Sequence, residues 1–232
     1  MSQAVCIIIE ENGSIVINDG AQVFQKNEGV KALFNMKIIN PNNWSEHKDG
    51  WQLISSPLLN AETSAFATIG NDNDYDLYKY DGLKELEWRN YKETDEFDEV
   101  FESGCAYLAS YQEEEMATFA GTLNYATSFS QEFSYSNLDP NIYMANFHLI
   151  GNPFTFDMNM AQAQYTNLVS GYAALNSTGS AFSYFTSTSG TIPVGDGFFV
   201  KAKADNASFS YYMNAKRSRG DEVNSINVIA TG

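Results

Sequence analysis

Short apolar runs separated by Gly and Asn turns set the rhythm of this chain. Val5 to Ile9, Ser14 to Ile17 and Ala21 to Phe24 are strand candidates, with turns at Asn12-Gly13 and Asn18-Asp19-Gly20. A longer apolar run covers Val30 to Ile39, and a Pro41-Asn42-Asn43 connector follows. This rhythm predicts a solenoid-like coil or a tight meander over residues 1–48. Further on, Leu77 to Tyr80, Tyr107 to Ala109 and Thr118 to Ala120 predict strands, the last two flanking an acidic turn at Glu113 to Glu115. Residues 126–145 join two longer stretches; Phe129, Phe133 and Tyr135 suggest a strand there, and Leu138-Asp139-Pro140-Asn141 a turn.

The pattern occurs twice. Gly50-Trp51-Gln52-Leu53-Ile54-Ser55-Ser56-Pro57-Leu58 returns as Asn146-Phe147-His148-Leu149-Ile150-Gly151-Asn152-Pro153-Phe154, with Pro57 and Pro153 separated by 96 residues. Tyr80 then aligns with Leu175, Trp88 with Phe182, Gly104-Cys105-Ala106 with Gly195-Asp196-Gly197, and Phe119 with Phe209. The matched positions are apolar groups and turn formers, so the repeat describes a scaffold. Copy one covers 50–125 and copy two 146–214, together a region 49–215, with a basic linker and the start of a strand at 216–232. The ambiguous stretch 82–102, where Leu83, Leu86, Phe97, Val100 and Phe101 would also suit an amphipathic helix, is assigned β because its counterpart 181–192 is rich in Ser, Thr and aromatics. The expected fold is all-β: a two-copy antiparallel, jelly-roll-like sandwich sharing one core, preceded by the N-terminal segment.

Composition narrows the function classes. Aromatic residues make up 14% of the 232, which opposes disorder and favours pleated sheets. The net charge of −16 is concentrated in residues 1–125, where 22 acidic side chains face 8 basic ones. Such a field repels phosphate backbones and anionic lipids, so neither a nucleic-acid role nor membrane insertion is expected; a cation or a basic partner is the sharper alternative to simple solubility. The two cysteines, Cys6 and Cys105, form no CxxC pair; free small hydrophobes are expected, with a Cys6–Cys105 disulfide as the alternative the sequence leaves open. The N-terminus carries no signal-peptide pattern, and the final Val223 to Ile229 starts a strand pattern without finishing it, which suggests an excised piece of a longer chain.

Catalytic motifs are missing. There is no GxSxG, no Gly-rich phosphate loop and no His near metal-ligand partners; His47 and His148 are isolated, and His148 is expected to be a solvated strand residue. No catalytic residue and no cofactor are therefore assigned. Asp72, Asp74 and Asp76 alternate as a calcium loop would, although Leu77 and Leu83 stand where an EF-hand needs Gly and Glu. A pair of carboxylates for glycoside hydrolysis needs no local motif and stays open. Among the tryptophans, Trp51 and Trp88 align with aromatics in copy two and are expected in the core; Trp44, outside the repeat, is the candidate ligand-binding residue.

The sequence Gly50-Trp51-x-Leu53-Ile54-x-x-Pro57, then Leu77-Tyr78-x-Tyr80-Asp81, Trp88-x-Asn90-Tyr91, Phe119-x-Gly121-Thr122-Leu123-Asn124 and Leu149-Ile150-Gly151-Asn152-Pro153-Phe154, resembles a module of large secreted or surface proteins of Bacteroidetes such as Bacteroides and Prevotella. The preceding Ile17 to Val23 resembles the segment that often leads into it. The resemblance implies an extracellular or outer-surface location and a supporting, adhesive or anchoring role toward a protein or glycan, and it carries no catalytic residues. A carbohydrate-active or carbohydrate-binding sandwich is the alternative expectation.

Overall fold

The computed structural model describes residues 14–24, 28–38, 50–67, 75–82, 88–93, 97–111, 114–136, 144–186 and 189–213. These residues are organised almost wholly as short strands in small sheets, so the all-β expectation holds. The first half holds β1 (Ile15–Ile17), β2 (Lys31–Ile38), β3 (Gln52–Ile54), β4 (Leu58–Leu59), the single turn α1 (Ser64–Ala67), β5 (Tyr75–Tyr80), β6 (Trp88–Asn90), β7 (Tyr107–Tyr111) and β8 (Glu115–Leu123). The second holds β9 (Ser128–Phe133), β10 (Phe147–Gly151), β11 (Met158–Asn159), β12 (Ala163–Thr166), β13 (Tyr172–Leu175), β14 (Phe182–Phe185), β15 (Thr191–Ile192), β16 (Gly197–Lys201) and β17 (Ala207–Tyr212).

Strand order repeats the sequence duplication. One sheet runs β3-β7-β5-β6 and its counterpart β10-β16-β13-β14. The other sheet of copy one runs β1-β2-β8-β4, and its counterpart β9-β17-β12. Register follows the same offsets: Leu53 opposes Leu108 as Leu149 opposes Phe199, and Tyr80 opposes Trp88 as Leu175 opposes Phe182. Phe34 opposes Phe119 as Gln131 opposes Phe209, which places β2 and β9 in equivalent positions 97 residues apart. The structural unit therefore includes two strands that the sequence match does not reach. They escape it because β2 buries Ala32, Phe34, Met36 and Ile38, whereas the equivalent Phe129 and Gln131 of β9 are only half-buried.

The four main sheets are arranged as four propeller-like blades, which corrects the expected two-copy sandwich. The physical reason is that each copy fills its own core. In copy one Phe34, Phe66, Phe101, Tyr107, Tyr111 and Phe119 are buried together, with Phe66 stacked on Tyr111 at 4.3 Å between ring centres. In copy two Phe154, Phe198, Phe209 and Tyr211 are buried with Met158 and Met160. Large aromatics let a unit this small close a core, at roughly 1.5–3 kcal/mol per buried side chain. Leu53, Ala106, Leu149 and Phe199 form a third, smaller cluster between the copies.

The N-terminal segment behaves in two ways. β1 pairs in parallel with β2, a solenoid-like contact. The expected third strand, Ala21 to Phe24, is instead a strap across copy two. Val23 N–H donates to the Thr155 carbonyl at 2.7 Å, Gln22 Nε2 donates to Asp157 at 2.9 Å, and Phe24 stacks on Phe156. Val5 to Ile9 lies outside the described residues.

Candidate functional site

The two copies meet about a pseudo-two-fold axis. Ile54 bridges Asp196, and the equivalent Ile150 bridges Cys105. Ser55 N–H donates to the Gly195 carbonyl at 2.6 Å, and Gly151 N–H donates to the Gly104 carbonyl at 2.8 Å. Gly104 and Gly195 make this possible by sitting at φ of 83° and 86°, where a Cβ would be strained. Each is followed by the residue that reaches across the axis: Cys105 on one side, Asp196 on the other. The scaffold repeats; the chemistry at this position does not.

On the Asp196 side a cavity of about 540 Å³ opens between the copies. Its apolar surfaces are Trp51, Tyr172, Leu175 and Phe185; its polar ones include Asp19, Gln52, Thr191 and Asp196. Asp19 comes from the turn after β1, held by an Asn35 to Asn18 side-chain bond of 3.0 Å. Trp51 is fixed from below by Tyr78 and from above by the β13–β14 hairpin, where a Cβ on Gly179 would come within 2.1 Å of the Trp51 carbonyl. Phe185 stacks on Tyr172 at 5.0 Å. Volume and mixed lining fall within the range of small-molecule sites.

Electrostatics single out Asp196. Asp196 lines the cavity as an exposed residue. Partial desolvation against the surrounding protein, with like charge from Asp19 and Asp157, pushes its pKa up to about 7. Asp157 is raised by burial and partly relieved by the Val194 N–H at 3.1 Å; Asp19 is raised by burial and relieved by the Lys37 backbone. Lys37 lines the same cavity but pairs with Glu114 at 2.8 Å.

A raised carboxyl pKa means that the native state holds more protons than the unfolded chain between the unfolded value near 4 and about pH 7. The group's favourable contribution is complete below pH 4 and is lost as pH rises through 7. Asp196→Asn is therefore expected to gain denaturation midpoint relative to the parent at pH 8 and to lose that advantage at pH 5, measured by urea titration at both.

The residues singled out by sequence fall elsewhere. Asp72, Asp74 and Trp44 lie outside the described residues. Asp76 is in β5, where its carboxylate is paired with Lys92 at 3.0 Å and accepts from Asn90 at 3.0 Å. Among the described residues no group of three or more His, Cys, Asp or Glu has metal-holding geometry. His148 is half-buried, stacked on Phe133 and bonded to the Ser134 carbonyl at 2.9 Å; burial lowers its pKa. Cys105 is a free, half-buried thiol whose pKa burial pushes up to about 12, so it stays protonated at neutral pH; Cys6 lies outside the described residues. Trp51 and Trp88 are not in either main core but half-buried, and Phe182 is 42% exposed. The signal for Asp196 was present in the sequence, as the position where Gly-Cys-Ala becomes Gly-Asp-Gly between otherwise matched strands.

The chain matches no family model, no curated protein and no solved structure. No helix among the described residues is long and apolar enough to cross a membrane.

Proposed function

We propose that this chain is a non-catalytic binding module of an extracellular or cell-surface protein, and that the cleft at Asp196 is its ligand site. One observation carries this reading: a duplicated scaffold holds a cavity of about 540 Å³ where its two copies differ in chemistry. The surface setting is supported by the resemblance of the Trp51 to Pro57 and Leu149 to Phe154 motifs to a module of secreted Bacteroidetes proteins. Flat aromatic faces beside polar side chains suit a glycan, whose rings offer C–H faces and hydroxyls. Trp51→Ala is expected to lower binding at least tenfold on a glycan array while still unfolding in one cooperative transition, at a somewhat lower melting point because the Tyr78 contact is lost. An array and a surface-protein pull-down that both return nothing overturn the adhesive reading.

A second reading is carbohydrate hydrolysis. It is favoured by two carboxyls, Asp19 and Asp196, in one cleft, the latter with the raised pKa of a general acid. Release of reducing sugar from bound glycans, lost in Asp196→Asn, would decide for it; intact glycans decide for binding alone.

A further inference from the structure

The cleft's charge balance says what kind of ring it takes, a step that rests on the binding reading above. Two carboxylates line it, Asp19 and Asp196, and Asp157 stands behind Val194 as a third negative charge within reach. Among the described residues the one cation in the lining is Lys37; it pairs with Glu114 at 2.8 Å and its charge also reaches Asp19, so it offsets only part of the negative charge. Among the described residues no hydrogen-bond donor serves the Asp196 side chain; only desolvation and like charges act on it. An anion entering here meets repulsion from three aspartates. A neutral ligand leaves the Asp196 carboxylate without a countercharge. A ligand bearing an ammonium supplies one, and a charge-assisted bond to carboxylate is roughly twice as strong as a neutral hydrogen bond. The rest of the lining excludes a bare amine as the best fit. Trp51 and Phe185 present aromatic surface, and Gln52 and Thr191 present groups that meet hydroxyls.

We propose that the cleft between the two copies binds an amino sugar, its ammonium toward Asp196 and Asp19 and its ring face against Trp51 and Phe185. Binding then favours ionised Asp196, so it expels a proton wherever that group is still protonated. Affinity should climb from about pH 5 to pH 6, where the amine of an amino sugar stays charged, with Asp19, Asp157 and the Lys37–Glu114 pair as the charged groups facing the site.

Calorimetric titration of the whole chain tests this with four probes: a β-1,4-linked glucosamine disaccharide, its N-acetylated form, cellobiose, and 1,5-diaminopentane. The glucosamine disaccharide is expected to bind about tenfold tighter than either neutral disaccharide, the scale of one charge-assisted contact. The diamine is expected to bind more weakly still. In Asp196→Asn the amine preference should vanish while neutral binding persists; Asp19→Asn, remote from the seam backbone, gives the same test if the first variant folds poorly. Equal binding of acetylated and free amino sugars overturns the charge assignment and leaves the cleft standing. A diamine that matches the disaccharide overturns the ring contact. No binding by any probe sinks both the proposal and the cleft reading.

Discussion

Asn152→Ala is expected to remove about 3–5 kcal/mol of stability, the range for breaking a fully buried polar network. Asn152 has no solvent exposure. Its Nδ2 donates to the carbonyls of Phe156, Ile192 and Pro193 at 3.0, 3.1 and 3.0 Å, and its Oδ1 accepts the Phe154 N–H at 2.9 Å. Alanine removes the side-chain partner of those four backbone groups, and of the three carbonyls Pro193 keeps a bond from the Asp196 N–H at 3.2 Å. The expected melting point falls by roughly 10 °C, since 1 kcal/mol moves a domain of this size by about 2–4 °C. The equivalent Ser56→Ala should cost much less, about 1 kcal/mol, because Ser56 Oγ serves only the Leu58 N–H and carbonyl, both at 3.1 Å. Thermal unfolding of the two variants side by side checks the contrast; similar losses would show that the Asn152 amide does not organise the turn.

Gly151→Ser should be nearly as damaging, about 2–4 kcal/mol, although Ser55 is a serine in the equivalent place. A Cβ at Gly151 would sit 2.3 Å from the Cys105 carbonyl oxygen and 2.5 Å from the Ser55 Cβ. The axis has room for one side chain, and Ser55 holds it, donating to the carbonyls of Asn152 at 3.1 Å and Asp196 at 2.9 Å. Adding Ser55→Gly removes one of the two clashes. The double variant is expected to recover part of the loss, leaving the backbone clash with Cys105. A double-mutant cycle in urea measures the coupling; strict additivity would mean that the two residues do not compete for the same space.

Much of the scaffold was legible in the sequence. Leu-Ile-x-x-Pro, paired aromatics and Gly turns located both copies, and the observed registers of β3, β7, β10 and β16 follow that alignment. Alternation within strands was equally plain, as in β2 and β5. Packing between sheets was not. Period-two alternation tells which side of a strand is apolar, but not which sheet will cover it. So the separate cores built on Phe119 and Phe209 could be read as one. The candidate site was hidden for a related reason. Asp19, Trp51 and Asp196 are far apart in the chain and share no motif; only the fold brings them to one cavity. An aromatic partner in copy two points Trp51 to the core, yet Phe147 packs on Phe199 while Trp51 lines the cleft.

The Ser55–Gly151 contact has a consequence for how such a molecule can diversify. A homodimer must change both sides of its axis at once, so every gain is duplicated and every bulky residue meets itself. With both halves on one polypeptide that constraint is lifted. Serine can face glycine, and a carboxylate can stand opposite a half-buried thiol. One flank of the axis stays free to evolve a ligand while the other only has to hold.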